Sequence, residues 1–143
     1  LWLLANVTLG DASLLAHIAA CLDPLGRLLG MDGVILTAFI LGFPANEIVI
    51  PIAVMAYTVG GALTDVGDLA AMREILTANG WTPLTAVCTI LFSLMHWPCS
   101  TTVMTIHKET GSLRHTLAAV LLPTLAGAVV CFLVATAARL IGG

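Results

Sequence analysis

The run GVILTAFILGFPANEIVIPIAVMAY, residues 33 to 57, limits what this chain can fold into more than any other feature. It is apolar for about 25 residues, enough at ~1.5 Å rise per residue to cross a hydrocarbon layer of ~30 Å. It is not, however, a plain helix. Gly42, Pro44 and Pro51 each weaken the helical ladder, because proline removes a donor and pushes the residue before it toward extended backbone. Interrupted backbone at membrane depth persists only where it is buried in protein or lines a wet cavity. Residues 33–57 are therefore predicted to form a broken span, interrupted at Gly42 to Ala45 near the bilayer midplane.

The rest of the chain has the same character. Of its 143 residues 59% are hydrophobic and 9% charged, with a mean hydropathy of +1.07, far from the balance of a soluble domain. A second long segment, 81–107, places Pro83 in a first helical turn and is broken at Pro98, so a gap is predicted over Trp97 to Cys99. The last span, 113–141, carries Gly127, Cys131 and Ala135 at four-residue spacing, a stripe suited to close helix packing. Residues 1–7 read as the end of a preceding helix. Residues 13–23 read as an interfacial helix capped by Asp11 or Ser13, with Leu14, Leu15, Ile18, Ala19 and Leu22 on one face and an end at Pro24 and Gly26. A surface helix is predicted over 68–79, capped by Asp68 and stopped by Asn79-Gly80. The predicted class is an all-α membrane protein with about three transmembrane helices, two of them broken near midplane, plus short interfacial helices.

Several function classes are disfavoured. The formal net charge of −3, with no run of Lys and Arg, gives nucleic acid nothing to bind. Cys21, Cys88, Cys99 and Cys131 are scattered without a CxxC pair, as reduced thiols in or near a bilayer would be. HExxH, GxSxG and Walker signatures are absent, and no second buried acid pairs with Glu47, so the chain reads as a non-enzyme. Counting Arg27, Lys108 and Arg114 against Arg73 and Arg139 leans the Lys108 loop toward the cytoplasm.

The groups that carry chemistry cluster at the breaks. On a continuous helix Cys88, Phe92, Met95, His96 and Cys99 fall within an arc of ~100°. Imidazole and soft sulfur suit late first-row divalent metals. His96 and Cys99, three residues apart, are the tightest pair. Ser100, Thr101 and Thr102 can bond carbonyls freed by Pro98 or replace part of an ion's water. A single thiol in a membrane helix is more often a packing residue, which is the reading for Cys21, Cys88 and Cys131. His107 and His115, beside Lys108 and Arg114, read as solvated. Glu47 is the one acid inside a span; with Asn46 it either faces a transport path or satisfies the positive end of a half-helix. On this reading His96 and Cys99 form one side of a transient metal site facing Asn46 and Glu47, completed by water or carbonyls.

The stretches LDPLGRLLGMDGVILTAFILGFPANEIVIPI and NGWTPLTAVCTILFSLMHWPCSTTVMTIHKETGSL resemble the C-terminal membrane region of the ferrous iron transport protein B (FeoB) family, its second gate-like half. The resemblance covers nearly the whole chain and implies a C-terminal gate-like membrane region over residues 1–143. It places the family's gate motif on Gly42, Pro44, Asn46 and Glu47 and its HWPCST segment on His96, Pro98, Cys99, Ser100 and Thr101. It implies a multi-pass permease of the bacterial inner membrane that transports Fe(II) and holds no permanent cofactor. The implied partners are membrane lipid, an earlier gate-like half and a cytoplasmic GTP-binding domain of the same transporter, with a second copy of the chain as a further candidate. Fe(II) is the family's metal; the residues alone would equally suit Zn, Mn or Cu(I).

Two rival readings make different demands. An assembly module would leave every polar atom at the breaks satisfied by protein. A gate-type permease for another solute such as a nucleoside would show aromatic stacking with amide or hydroxyl partners. For Glu47, Gln keeps an acceptor for a helix end while removing the charge. Glu47→Gln in the full-length protein should therefore lower transport while leaving the amount of folded protein unchanged, and normal transport would make the acid structural.

Overall fold

The computed structural model describes residues 8–9, 12–58 and 69–142. Residues 1–7 and the candidate caps Asp11 and Asp68 lie outside the described residues. The chain opens with a two-residue antiparallel pairing of β1 (Thr8–Leu9) with β2 (Ala12–Ser13). Among the described residues the elements after it are helical: α1 (Leu14–Leu28), α2 (Gly33–Leu41), a 3-10 turn (Asn46–Ile48), α3 (Val49–Tyr57), α4 (Leu69–Ala78), α5 (Pro83–Met95), α6 (Ser100–Thr110) and α7 (Leu113–Gly142).

Ser13 caps α1, its Oγ accepting from Ala16 N at 3.2 Å. The helix does not end at Pro24 and Gly26 as the sequence suggested; it continues through Pro24 to Leu28. Gly26 serves a close approach instead, because a Cβ there would lie 2.5 Å from the backbone of Asp32. The chain turns at Gly30, with φ of +75°, and α2 leaves at 109° to α1. The two helices touch through their backbones: a Cβ on Gly33 would stand 1.8 Å from the Ala19 carbonyl oxygen.

Asp32 caps α2, Oδ1 accepting from Ile35 N at 2.7 Å. Its other oxygen accepts from the Tyr57 hydroxyl at the far end of α3, and Trp81 Nε1 donates to that same hydroxyl at 3.0 Å. The start of α2 and the end of α3 are thus tied together. Residues 33–57 are interrupted at 42–45, but they do not go on across the membrane: they double back as a hairpin. Each arm is nine residues, ~13 Å, less than half the hydrocarbon thickness. The cause is packing. Ile35, Leu36 and Phe39 of α2 share one core with Val49, Ile52 and Ala53 of α3, which collinear helices could not do.

Among the described residues two stretches are long and apolar enough to cross a membrane, Pro83–Thr110 and Leu113–Ile141, and the bent α1–α2 pair would count as a third. The chain is a multi-pass all-α membrane protein. Thr82 caps α5, its Oγ1 accepting from Thr85 N at 3.2 Å, with Pro83 in the first turn. The small-residue stripe of α7 lies against α5: Gly127 is buried, Cys131 and Ala135 are fully buried, and Cys131 Sγ donates to the Cys88 carbonyl at 3.3 Å. Cys21 is exposed on α1.

Because neither α1 nor α2 can yield where their backbones meet, Gly33→Ala should destabilise the protein by about 3 kcal/mol. The effect would be read as a lowered unfolding temperature in detergent. An unchanged temperature would contradict the described α1–α2 contact.

Candidate functional site

The two interruptions meet. At the hairpin tip Gly42 N bonds Ala38 O at 2.8 Å and Ala45 N bonds Gly42 O at 2.9 Å, making a tight turn with the Phe43 and Pro44 carbonyls outside it. In the other segment α5 stops at Met95 and α6 starts at Ser100. Ser100 N donates to Phe43 O at 3.0 Å, and Ser100 Oγ lies 3.5 Å from Pro44 O. The carbonyl-bearing ends of α2 and α5 and the amide-bearing ends of α3 and α6 therefore gather around one junction. Carbonyl ends favour a cation, and a carboxylate favours the opposite, amide end. Gly127 of α7 allows this closeness on the other side, since a Cβ there would lie 3.0 Å from Met95 Cβ.

His96 is the buried polar group of the junction, 7% exposed. Its ring sits among Phe39, Phe92 and Trp97, with centroids 4.9, 5.8 and 5.5 Å away. Nδ1 lies 2.9 Å from Ser93 O. A carbonyl can only accept, so Nδ1 carries the proton, and in the neutral ring Nε2 is left with a bare lone pair. Nε2 is buried without a hydrogen-bond partner, and so is Trp97 Nε1. Two such atoms, an acceptor and a donor on adjacent residues, are costly unless something occupies them. The arrangement at His96, one ring nitrogen tied to a backbone carbonyl and the other free, is the one metal-binding imidazoles adopt.

Cys99 does not share this stripe. Cys88, Phe92 and His96 all turn inward, but His96 and Cys99 have extended backbone, with ψ of −178° and 159°, so the helical register stops at His96. Cys99 Sγ sits 3.2 Å from Thr102 Oγ1, in a partly exposed position. The i, i+3 alignment expected for His96 and Cys99 fails for this reason. Asn46 and Glu47 lie exposed in the 3-10 turn just past the hairpin tip, Glu47 where a carboxylate complements the amide end of α3. Among the described residues no group of three or more His, Cys, Asp or Glu side chains could hold a metal together, so His96, Cys99 and Glu47 do not form a closed ligand set. Pro44 and Ser100 are in contact at the junction, Pro98 lies in the gap, and Thr101 is exposed on the first turn of α6. His107 and His115 are exposed.

Sequence reasoning passed over Phe39, Trp97 and the Ser100 backbone. Trp97 carried a signal, since an indole N–H at midspan needs a partner as an imidazole does. Phe39 looked like any apolar helix residue. A cleft of about 390 Å³ lies elsewhere, between α1, α2 and α3. Its polar side chains are already engaged: Thr37 Oγ1 donates to Gly33 O, and Asp23 accepts from Gly33 N and pairs with Arg27.

A membrane hairpin that stops partway and presses its tip into the gap of a neighbouring interrupted span defines a gate-type domain of a membrane transporter. The chain belongs to the Gate family, described as nucleoside recognition, which matches residues 1–113. Among curated proteins it is similar to the Fe(2+) transporter FeoB of Staphylococcus aureus strain MSSA476, 33% identical over 92 residues, 64% of this chain and 12% of that protein. It is also similar to the Fe(2+) transporter FeoB of Leptospira biflexa, 27% identical over 110 residues, 72% of this chain and 16% of that protein. The chain thus spans 12 to 16% of the length of these relatives. No solved structure matches it.

Proposed function

We propose that this domain forms one wall of a translocation path for Fe(II) across a bacterial inner membrane, working with an earlier gate-like half and a cytoplasmic GTP-binding domain of the same transporter. The observation that carries the reading is the buried, unpartnered His96 Nε2 at the junction of two interrupted helices. A neutral imidazole with its other nitrogen fixed by Ser93 O is a ready ligand for a borderline divalent metal. Fe(II) as the ion follows from the names of the relatives.

The remaining ligands are weak or distant, as a conduit requires, because an ion held by a full protein shell would not leave. His96 supplies the inner ligand and Cys99 a soft ligand on the more open side. Carbonyls at the ends of α2 and α5, with water, complete the shell, and Glu47 adds negative charge beside it. The bonds from Ser100 to the hairpin tip close the junction, so passage requires the tip and α6 to separate. The ligands bind metal only when deprotonated, so apparent affinity rises with pH.

Both rivals fit less well. An assembly module would leave no polar atom unpartnered at the junction, whereas His96 Nε2 and Trp97 Nε1 are both orphaned. A nucleoside site needs a free aromatic face, but Phe39, Phe92 and Trp97 are packed on one another and on His96, with centroids 4.9 to 6.2 Å apart.

His96→Gln and Cys99→Ser in the full-length protein, reconstituted in proteoliposomes, should each reduce Fe(II) uptake by about tenfold or more at unchanged folded yield. Raising external pH from 6 to 7 should increase uptake by the parent at low Fe(II). Parent-level uptake by the His96→Gln variant would overturn the reading.

A further inference from the structure

We propose that the exposed arc of α6 lines a water-filled passage from the junction to the membrane surface, with Thr102 and Thr105 along its wall and Glu109 at its mouth. The inference rests on the permease reading and names the route an ion takes from it. α6 and the first half of α7 run side by side in opposite directions, joined through Gly111, with φ of +60°, and Ser112. Thr116 Oγ1 of α7 lies 3.4 Å from His107 Nδ1 of α6, so the two helices share one range of depth. Over that range their outer surfaces are opposite in character. On α7 the first turn exposes Arg114 and His115 level with Lys108 and Glu109, and beyond it the exposed side chains include Leu117, Leu121, Leu122 and Leu125, the surface that hydrocarbon wants. On α6 the exposed residues between positions 101 and 109 are Thr101, Thr102, Met104, Thr105, His107, Lys108 and Glu109, while Val103 and Ile106 are half-buried.

Past the first turn of α7, where its outer surface is mostly leucine, the face of α6 at the same depth carries Thr101, Thr102, Thr105 and one apolar side chain, Met104, a composition ill suited to lipid. Part of this polarity is quenched locally, since Thr105 Oγ1 bonds Thr101 O at 3.0 Å, an arrangement lipid tolerates. The charges of Lys108 and Glu109 are not quenched in that way. Nor is the direction of the pattern explained, with apolar side chains facing protein and polar ones facing out. Thr102, Thr105 and Glu109, spaced three and four apart, form one stripe within an arc of ~60°, which Cys99, the cap residue before α6, extends through its contact with Thr102. The stripe is ~15 Å long, half of a ~30 Å hydrocarbon layer, so it reaches from midplane to surface. It starts at the junction itself, where Cys99 Sγ meets Thr102 Oγ1 at 3.2 Å. Hydroxyls replace hydration weakly enough to let an ion move on, and a carboxylate at the mouth concentrates cations.

The test is labelling of single-cysteine variants Thr102→Cys, Thr105→Cys, Glu109→Cys and, as the lipid-facing control, Leu121→Cys, in membranes holding the full-length protein. A charged, membrane-impermeant methanethiosulfonate reagent is applied and modification is read residue by residue by mass spectrometry. The three α6 positions should react at least ~10-fold faster than Leu121→Cys, as groups in water do relative to groups in hydrocarbon. This readout does not depend on which ion is carried. If labelling is fast but the parent protein takes up no Fe(II) in proteoliposomes, the wet passage stands and the Fe(II) reading fails. If Thr102→Cys and Thr105→Cys resist the charged reagent and react only with a lipid-soluble maleimide, or react with neither, the face is covered by lipid or protein and the passage is wrong.

Discussion

Inside a bilayer a peptide group without a hydrogen-bond partner costs several kcal/mol, and this constraint organises the molecule. The chain breaks its backbone twice at apolar depth, at 42–45 and at 96–99. Each break partly repairs the other. The Ser100 amide that α6 cannot satisfy internally finds the Phe43 carbonyl that the hairpin tip leaves outside its turn. The bond is long-range and joins two segments that local sequence would never bring together. Once it is made, a helix end from each segment lies beside the other.

Everything else holds that junction in position. The hairpin is closed at its root by Asp32, Tyr57 and Trp81, a chain of side-chain hydrogen bonds far from the tip that fixes how deep the tip reaches. Gly26 and Gly33 let α1 lie against the start of α2 with no side chain between them. On the other side Gly127, Cys131 and Ala135 do the same for α5 and α7. Among the described residues the buried side-chain polar atoms left unpaired lie at this junction, His96 Nε2 and Trp97 Nε1. Buried atoms of this kind call for a partner beyond the described side chains.

The fold class was legible because hydropathy and proline placement are local properties: the apolar runs and the interruptions at Pro44 and Pro98 can be read in one dimension. The hairpin was not legible. A run of about 25 apolar residues looks the same whether it crosses or returns; the choice rests on Asp32 meeting Tyr57, a pairing across 25 positions. The end of α1 was misplaced because Pro24 and Gly26 were read as stops, when Gly26 is there for contact with Asp32. At the site, His96 was legible from its cost in a membrane. Its alignment with Cys99 was read on an ideal helix, and the extended backbone at both residues removes it. Trp97 was missed although its indole N–H poses the same problem as the imidazole.

On the proposed function the free nitrogen of His96 receives a metal ion where the two breaks meet. X-ray absorption spectroscopy on the full-length protein loaded with Fe(II) tests it directly, because imidazole gives a characteristic outer-shell scattering pattern. Imidazole scattering that disappears in His96→Gln is expected, together with a first shell rich in oxygen from carbonyls and water. A spectrum showing only oxygen ligands, or an imidazole signal unchanged when His96 is replaced, would contradict it.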